Sequence, residues 1–232
     1  MNSFRPRRRA DDEPPAAPKP GTITDIQPQR RDNARVSVYI DGTFAFGLHI
    51  DLQLEHYLKK GDVLDEEKIA LLLKQDAVKK AISTSLNLIA YRPRSAGELA
   101  SKLRERGYDV EAIDIAIGRV RELNYLNDRE FADRWVESRQ MHRPRSTRML
   151  RQELQQKGVD RQIIESTIEE AGIDEFGVAL ALGQKKVESF RALEPQVRDR
   201  RLSGFLARRG YSYDVIRRVL EALETEETVD GQ

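Results

Sequence analysis

One pattern recurs three times along the chain, and this repetition restricts the fold more than any other feature. The four residues RPRS occur at 92–95 and again, 51 residues later, at 143–146. The residues after each copy repeat in register, and a third copy of that following pattern occupies 202–220 without an RPRS of its own. Self-similarity at this period is typical of a tandem array of one supersecondary unit.

Each repeat is predicted to contain three short helices. At its centre, two leucines four residues apart precede a glycine, as in a helix that ends at a C′ glycine; these glycines are Gly107, Gly158 and Gly210. Two residues later stand the helix-capping residues Asp109, Asp160 and Ser212, each followed by a second apolar stripe. Ser95 and Glu98 match a capping box, so RPRS can be explained as the connector that starts the middle helix.

The net charge of +1 conceals a segregation of charge within the repeats. The three middle-helix segments carry net charges of +3, +4 and +4, and they span 92–107, 143–158 and 198–210. The following third-helix segments carry −2, −5 and −3, and they span 109–122, 160–175 and 212–227. Neighbouring helices could neutralise each other, although surface salt bridges contribute only about 0–1 kcal/mol each. The alternative is a row of positive faces that binds an extended polyanion or a long acidic groove.

The chain begins with a different composition. Residues 1–21 are rich in proline and charge, which predicts a disordered tail in which RPRRR forms an electrostatic arm. Beyond it, alternating apolar residues surround Asp41-Gly42, a strong signal for a β-hairpin. The two-residue turn predicts Tyr39, Phe44 and Phe46 on one face, with TITDIQP as a third strand and two short helices near 51–57 and 66–74.

No pattern of catalytic or metal-binding residues emerges. The chain has no cysteine, its three histidines are scattered, and phosphate-binding and nucleophile motifs are missing. The sequence therefore predicts a protein that is not an enzyme, with no catalytic residues, no cofactor and no metal. Without a long apolar run or a signal-peptide core, we expect a cytoplasmic protein with no membrane segment.

Several motifs in order resemble the RecX family of recombinase regulators. The segment YLNDREFADRWVESRQMHRPRSTRMLRQELQQKGV, residues 125–159, is similar to the family's central repeat. YRPRSAGELASKLRERGY resembles the first repeat, and ITDIQ…VSVYIDGTFAFGL…LKKGDVLDEEKI resembles an N-terminal extension of some members. The similarity runs from about Thr22 to Leu223. Many members have Gly-Pro before the second basic helix, where this chain has RPRS at 143–146.

The resemblance implies a mainly α protein without enzymatic activity that binds the RecA recombinase filament and restrains its ATPase and strand exchange in DNA repair and recombination. Direct contact with DNA, no small-molecule substrate and a monomeric state are further expectations. The candidate partner-binding residues are the cations of the basic helices: Arg92, Arg94, Lys102, Arg104, Arg143, Arg145, Arg148, Arg151, Arg200 and Arg201.

The expected organisation has six parts. A tail at 1–21 precedes a hairpin module at 22–76, three three-helix repeats at 77–126, 127–173 and 174–224, and an acidic tail at 225–232. Two other functions fit the residues alone: a DNA-binding protein that uses helix-turn-helix-like repeats, or a helical-repeat adaptor for another acidic partner.

Overall fold

The computed structural model describes residues 17–30 and 32–230, with side chains to residue 225. The RPRRR segment and the last two residues of the chain lie outside the described residues. The chain divides after Ser83 into two compact units, which are described separately below.

The first unit contains a four-stranded antiparallel sheet in the order β3-β2-β1-β4. Its strands are β1 (Gly21–Gln29), β2 (Asp32–Ile40), β3 (Thr43–His49) and β4 (Val63–Leu64). Helix α1 (Ile50–Glu55) follows β3, and α2 (Glu66–Tyr91) follows β4. Apolar residues from β1, β2 and β3 pack with α1 and the start of α2 to form one core. The hairpin is therefore stabilised by a third strand and helices, as an isolated hairpin would not be.

The predicted hairpin turn is confirmed, but one of its side chains was assigned to the wrong face. Asp41 and Gly42 both have positive φ, and Tyr39 pairs with Phe44 as expected. A register shift next to that pair places Phe46 opposite Val38, in the core at 5% exposure. Phe44 stays 59% exposed, with its ring edge-on to Tyr39. The β-bulge interrupts the alternation on which the prediction depended.

Asp76 is the main buried charge of the first unit. Its carboxylate accepts two hydrogen bonds from the Arg35 guanidinium, at 3.0 and 2.8 Å, and one from the His49 backbone N–H at 2.8 Å. Burial by itself raises the pKa of Asp76, but the bonds from Arg35 and Lys80 outweigh it, so the pKa lies below the usual value. This cluster ties strands β2 and β3 to helix α2.

The second unit contains the three repeats. After the end of α2 come α3 (Ala96–Glu105) and α4 (Val110–Glu122), then α5 (Asp128–His142), α6 (Thr147–Gln156) and α7 (Arg161–Glu170). The third repeat has α8 (Glu175–Val187), α9 (Pro195–Ala207) and α10 (Tyr213–Asp230), with a short 3-10 helix at Glu188–Phe190 after α8. Each repeat has its own apolar core, formed by the leucine, isoleucine and valine positions that define the sequence pattern.

The predicted helix boundaries within the repeats are confirmed. Gly107, Gly158 and Gly210 have φ of +84°, +70° and +92°, the left-handed conformation that ends a helix and that glycine adopts without strain. The side chains of Asp109 and Asp160 cap α4 and α7.

Helix α2 differs from the prediction, in which a short helix at 66–74 ended before the first repeat began at residue 77. It is one helix of 26 residues because no glycine or proline interrupts Glu66–Tyr91. The expected boundary at residue 76 thus falls inside a helix, and its last residues belong to the core of the first repeat.

Candidate partner-binding surface

The middle helices α3 and α6 meet end to end at what we call the first joint, formed by Ser95, Gly97 and Glu98 with Lys157 and Gly158. The Ser95 hydroxyl donates a hydrogen bond to the Lys157 carbonyl. The backbones touch here, because a Cβ atom on Gly97 would lie 2.5 Å from the Gly158 Cα. Only glycines permit this approach, so the N-terminus of one middle helix rests on the C-terminus of the next.

Helices α6 and α9 also meet end to end, at the second joint, which is formed by Arg145 and Ser146 with Arg208, Arg209 and Gly210. The Ser146 backbone N–H donates to the Arg209 carbonyl at 3.1 Å, and the Arg145 guanidinium donates to the Arg208 carbonyl at 3.2 Å. A Cβ on Gly210 would lie 2.5 Å from the Ser146 hydroxyl oxygen. Both RPRS copies therefore start a middle helix and also attach it to the following repeat.

A carboxylate from the following repeat completes each joint. Asp128 accepts a hydrogen bond from the Ala96 backbone N–H at 2.7 Å, and Glu175 accepts one from the Thr147 N–H at 2.6 Å. These acceptors satisfy N–H groups that a helix leaves unpaired and place negative charge at its positive end. The middle helices thus form a row in the order α9, α6, α3, with the C-terminus of each against the N-terminus of the next.

Charged side chains reinforce the first joint. The Lys157 ammonium lies 2.8 Å from a Glu98 carboxylate oxygen and 4.2 Å from the Trp135 ring centroid. The Arg139 guanidinium lies 4.1 Å from the same centroid, and Trp135 Nε1 donates to Glu153 at 2.9 Å. Both faces of this contact are therefore supplied from within the chain: the Trp135 ring interacts with the cations of Lys157 and Arg139.

The capping box predicted at Ser95 forms only in part. The Ser95 hydroxyl accepts from the Glu98 backbone N–H at 3.1 Å, but the Glu98 carboxylate binds Arg92 and Lys157 instead of completing the box. Burial by itself raises the pKa of Glu98, but the bonds from Arg92 and Lys157 outweigh it and lower the pKa. The Glu98 carboxylate thus stabilises the first joint instead of capping the start of α3.

Six of the ten candidate cations make contacts within the chain. Arg94 Nε donates to the Leu88 carbonyl at 3.1 Å, and burial lowers its pKa. Arg145 belongs to the second joint. The others contact an acidic or aromatic side chain: Arg92 with Glu98, Lys102 with Glu105, Arg151 with Glu165, and Arg201 with the Phe190 ring.

Four candidates are exposed and form no ion pair with any other described residue: Arg104, Arg143, Arg148 and Arg200. We call these the free arginines. They come from all three repeats: Arg104, Arg148 and Arg200 lie on middle helices, and Arg143 lies at the start of the RPRS connector before α6. Arg148 and Arg200 occupy equivalent positions, 52 residues apart, on α6 and α9. The row therefore presents unneutralised positive charge in each repeat.

Neutralisation of middle helices by third helices accounts for only part of the charge pattern. Arg151 on α6 pairs with Glu165 on α7 at 2.8 Å. Other acidic residues of the third helices pair elsewhere: Glu122 with Arg119 on its own helix, Glu170 with Arg129 on a first helix, and Glu221 with Arg217 on its own helix. The acidic helices thus leave the free arginines available.

The described residues contain neither a metal-ligating cluster nor a helix that could span a membrane. No cluster of three or more metal-ligating side chains occurs among residues 17–30 and 32–225. Within the same part of the chain, no helix has both the length and the apolarity required to cross a bilayer.

Four family models match the chain in order. Residues 21–65 match the Regulatory protein RecX N-terminal domain, and 81–119, 127–168 and 173–220 match the first, second and third three-helix domains of RecX. These matches cover the sheet of the first unit and all three repeats.

Curated relatives agree with these models. Regulatory protein RecX of Clostridium botulinum (strain Alaska E43 / Type E3) is 34% identical over 204 residues, which cover 86% of this chain and 94% of the relative. Regulatory protein RecX of Bacillus subtilis (strain 168) is 29% identical over 211 residues, with coverage of 90% and 80%.

Two solved structures share the fold. A crystal structure of regulatory protein RecX superposes with a TM-score of 0.67 at 24% identity, covering 86% of this chain and 98% of that one. A second, of RecX from Lactobacillus salivarius, has a TM-score of 0.57 at 22% identity, covering 65% and 99%. The repeated sequence, the three-helix domains and the curated relatives together establish that the chain belongs to the RecX family of regulatory proteins.

Proposed function

We propose that the protein binds the RecA recombinase filament in the cytoplasm through its row of middle helices, and that it restrains the filament's ATPase and strand exchange in DNA repair and recombination. The observation that carries the proposal is the row itself. Three basic helices meet end to end, and each repeat contributes at least one free arginine, which suits a long acidic surface rather than a compact ligand.

The arrangement also explains why three repeats would act together. Once one repeat is bound, the joints hold the next repeat near the partner, so later contacts form at high effective concentration. Loss of one contact is then expected to weaken the whole complex. The protein has no catalytic role in this mechanism, because inhibition follows from occupancy of the filament.

Charge reversal at the free arginines tests the proposal. Arg148→Glu and Arg200→Glu together should weaken binding to RecA filaments on single-stranded DNA at least about tenfold, or about 1.4 kcal/mol. The salt dependence of binding should also become shallower, since fewer ionic contacts remain. Binding is measured by titration at two salt concentrations, together with the RecA ATPase rate.

Arg161→Glu is the matched control. Arg161 is exposed and, among the described residues, has no ion-pair partner, but it begins the third helix α7 instead of lying on the row. Its reversal should leave filament binding within about twofold. Equal losses in Arg161→Glu and in Arg148→Glu alone would show that overall charge, and not the row, determines binding. If the Arg148→Glu, Arg200→Glu variant binds filaments normally and the unmodified protein binds naked duplex DNA tightly, the DNA-binding alternative would be favoured.

A further inference from the structure

The second joint gathers five arginines from the two middle helices that meet there. They are Arg143, Arg145, Arg148, Arg208 and Arg209. The Arg145 guanidinium donates to the Arg208 carbonyl at 3.2 Å, which brings the two ends of the cluster together. Burial, and then the like charges of Arg145 and Arg208, lower the pKa of Arg209. The joint is therefore a concentration of positive charge whose members repel one another.

Four of these arginines form no ion pair with any described residue. Arg143, Arg148 and Arg208 are exposed. Arg209 is held by Phe205, through the ring at 3.7 Å and the carbonyl oxygen at 3.3 Å, and neither of these groups carries a charge. The cluster thus lacks the negative partner that would offset its repulsion.

The fifth arginine is satisfied only in part. Arg145 Nε lies 3.7 Å from a Glu153 oxygen, but the other oxygen of that carboxylate already binds Arg139 at 2.6 Å. Arg145 Nε has no hydrogen-bond partner among the described residues, and neither does the hydroxyl of Tyr211, which is buried at 3% exposure and lies within the electrostatic influence of Arg145. Buried donors are normally paired, so the second joint has donors to spare for an added acceptor.

The first joint supplies its own negative charge. The equivalent positions there face a cavity of about 300 Å³, in which Glu98 binds Arg92 at 3.0 Å and Lys157 at 2.8 Å. At the second joint, Met149 occupies the position of Glu98. A thioether carries no charge, so the arginines that replace Arg92 and Lys157 have no carboxylate between them.

The composition of the cluster indicates the kind of anion that it binds. Arginine presents a planar fork of donors that matches the oxygens of a phosphate group. A single carboxylate is satisfied by one such fork, whereas several arginines on an exposed surface suit a chain of phosphates along which negative charge recurs. A nucleic-acid backbone has this chemistry.

We propose that the second joint binds the phosphate backbone of DNA, whose phosphate groups supply the negative charge that Glu98 supplies at the first joint. Arg143, Arg148 and Arg208 bind the phosphate oxygens, and the bound phosphates offset the repulsion within the cluster. Because backbone contacts carry no sequence information, binding is independent of base sequence. The proposal rests on the proposed function in one respect: it assigns Arg143 and Arg148, among the free arginines, to the DNA of the filament.

The test uses the full chain without RecA and a fluorescein-labelled 20-residue oligothymidylate, with binding followed by anisotropy. Arg148→Ala with Arg208→Ala should weaken binding at least about tenfold, or about 1.4 kcal/mol. The slope of log affinity against log salt should become shallower by about one to two, since two phosphate contacts are lost.

Arg161→Ala with Lys185→Ala is the matched control. Both residues are exposed and form no ion pair with a described residue, and they lie on α7 and α8, away from the row. Their removal subtracts the same charge and should change the affinity for oligothymidylate by no more than about twofold. Equal losses in the two double variants, or no binding by the unmodified chain up to about 1 mM, would overturn the proposal.

Transfer of the missing carboxylate supplies the second measurement. Met149→Glu places at the second joint the residue found at Glu98, and it should weaken oligothymidylate binding at least about tenfold while raising the midpoint of urea unfolding. Met149→Gln has the same shape without the charge and should retain the affinity of the unmodified chain. Undiminished binding by Met149→Glu, or equal weakening by both variants, would contradict the proposal.

Competition identifies the anion. Unlabelled oligothymidylate should displace the labelled strand at least about tenfold more effectively than poly-L-glutamate or inorganic phosphate at the same concentration of charge. Equal displacement by poly-L-glutamate would assign the joint to the carboxylates of a protein, and equal displacement by inorganic phosphate would assign it to free phosphate; either result contradicts a backbone site. RecA is absent from all these measurements, so their failure leaves the proposed function standing, whereas that function fails if charge reversal leaves filament binding unchanged.

Discussion

At both joints the start of one middle helix meets the end of another, but the contacts differ. The first joint has the Gly97–Gly158 approach and a bond from the Ser95 hydroxyl, whereas at the second joint Arg148 replaces Gly97 and the Ser146 backbone N–H is the donor. At the first joint, Lys157 lies between the Glu98 carboxylate and the Trp135 ring, so its charge has two favourable partners. At the second joint, the equivalent residue is Arg209, which stacks 3.7 Å from the Phe205 ring centroid. Burial and the like charge of Arg145 lower the pKa of Arg209.

Buried polar atoms without hydrogen-bond partners also distinguish the second joint from the first. Three such atoms without a hydrogen-bond partner among the described residues belong to Gln140, Arg145 and Tyr211, and Arg145 is part of the second joint. Burial, followed by the influence of Glu175, raises the pKa of Tyr211 to about 12. An unsatisfied buried polar group costs about 1–3 kcal/mol. The comparison teaches that the repeated backbone motif fixes where repeats meet, whereas the side chains beside it determine how strongly they hold.

The largest expected effect comes from placing a methyl group at the first joint. Gly158→Ala adds a Cβ 2.7 Å from the Gly97 Cα and must also adopt a φ of +70°. Left-handed backbone costs alanine about 1 kcal/mol, and overlap with immovable backbone adds about 1–3 kcal/mol. We expect the free energy of unfolding to fall by about 3 kcal/mol, measured by urea denaturation and followed by fluorescence of Trp135, the single tryptophan.

Gly107→Ala is the matched control for that substitution. Gly107 ends α3 with a φ of +84°, but a Cβ at this position has no neighbour within 4 Å. Gly107→Ala should therefore lower the free energy of unfolding only by the backbone strain, about 1 kcal/mol. Equal destabilisation by the two substitutions would show that the first joint accommodates the added methyl group without cost, and that the close approach of Gly97 and Gly158 does not require glycine.

The second prediction compares the equivalent cations of the joints. Lys157→Met removes a charge with two favourable partners and should destabilise the protein by about 1–3 kcal/mol, as for loss of a charged hydrogen bond. Arg209→Met relieves repulsion with Arg145 and keeps an apolar stem against Phe205, but it also removes the hydrogen bond from the Arg209 guanidinium to the Phe205 carbonyl at 3.3 Å. Because these effects oppose each other, the loss of stability should be smaller than for Lys157→Met. Thermal or urea denaturation of both variants checks the order. A larger loss of stability for Arg209→Met would show that the cation of the second joint stabilises the protein more than the cation of the first joint does.

The sequence predicted what depends on local pattern. The helix-ending glycines, the caps at Asp109 and Asp160, and the turn at Asp41-Gly42 each follow from residues within a few positions of one another. The threefold repeat then predicted the mainly α architecture of the second unit without further information.

The joints could not be predicted because their contacts are distant in sequence. Glu98 and Lys157 are separated by 59 residues, and nothing in either segment identifies the other. The repetition of RPRS was the available signal, but it fits a helix-start connector equally well. The placement of Phe44 and Phe46 on different faces was missed for a related reason, since a β-bulge leaves no reliable mark in the residues that form it.

The identity of the free arginines also required the structure. Arg148 and Arg151 are indistinguishable as cations of one basic helix in the sequence. Only the distance from Arg151 to Glu165, 2.8 Å, shows that one of them is already paired. The roles of all ten candidate cations in partner binding remain predictions, which the charge-reversal experiment addresses.

The smallest expected effect is a difference in acid sensitivity between the joints. The folded pKa of Glu98 lies below its usual value of 4.5, despite burial, because Arg92 and Lys157 bind the charged carboxylate. This carboxylate therefore contributes stability that is fully present above pH 4.5 and is lost as pH falls through the lower folded pKa. The second joint has Met149 at the equivalent position and lacks this contribution.

Glu98→Gln should therefore flatten the decrease in stability at acid pH, as monitored through Trp135 fluorescence at the first joint. Asp76 also has a lowered pKa, but it belongs to the first unit and is unchanged in the variant, so the difference between the two proteins reports Glu98 alone. Glu105→Gln makes the same change of charge at a carboxylate that is 56% exposed and should leave the acid limb unaltered. If Glu98→Gln and the unmodified protein lose stability in parallel below pH 4.5, the bonds from Arg92 and Lys157 do not stabilise the first joint, and its advantage over the second lies in the glycine contact alone.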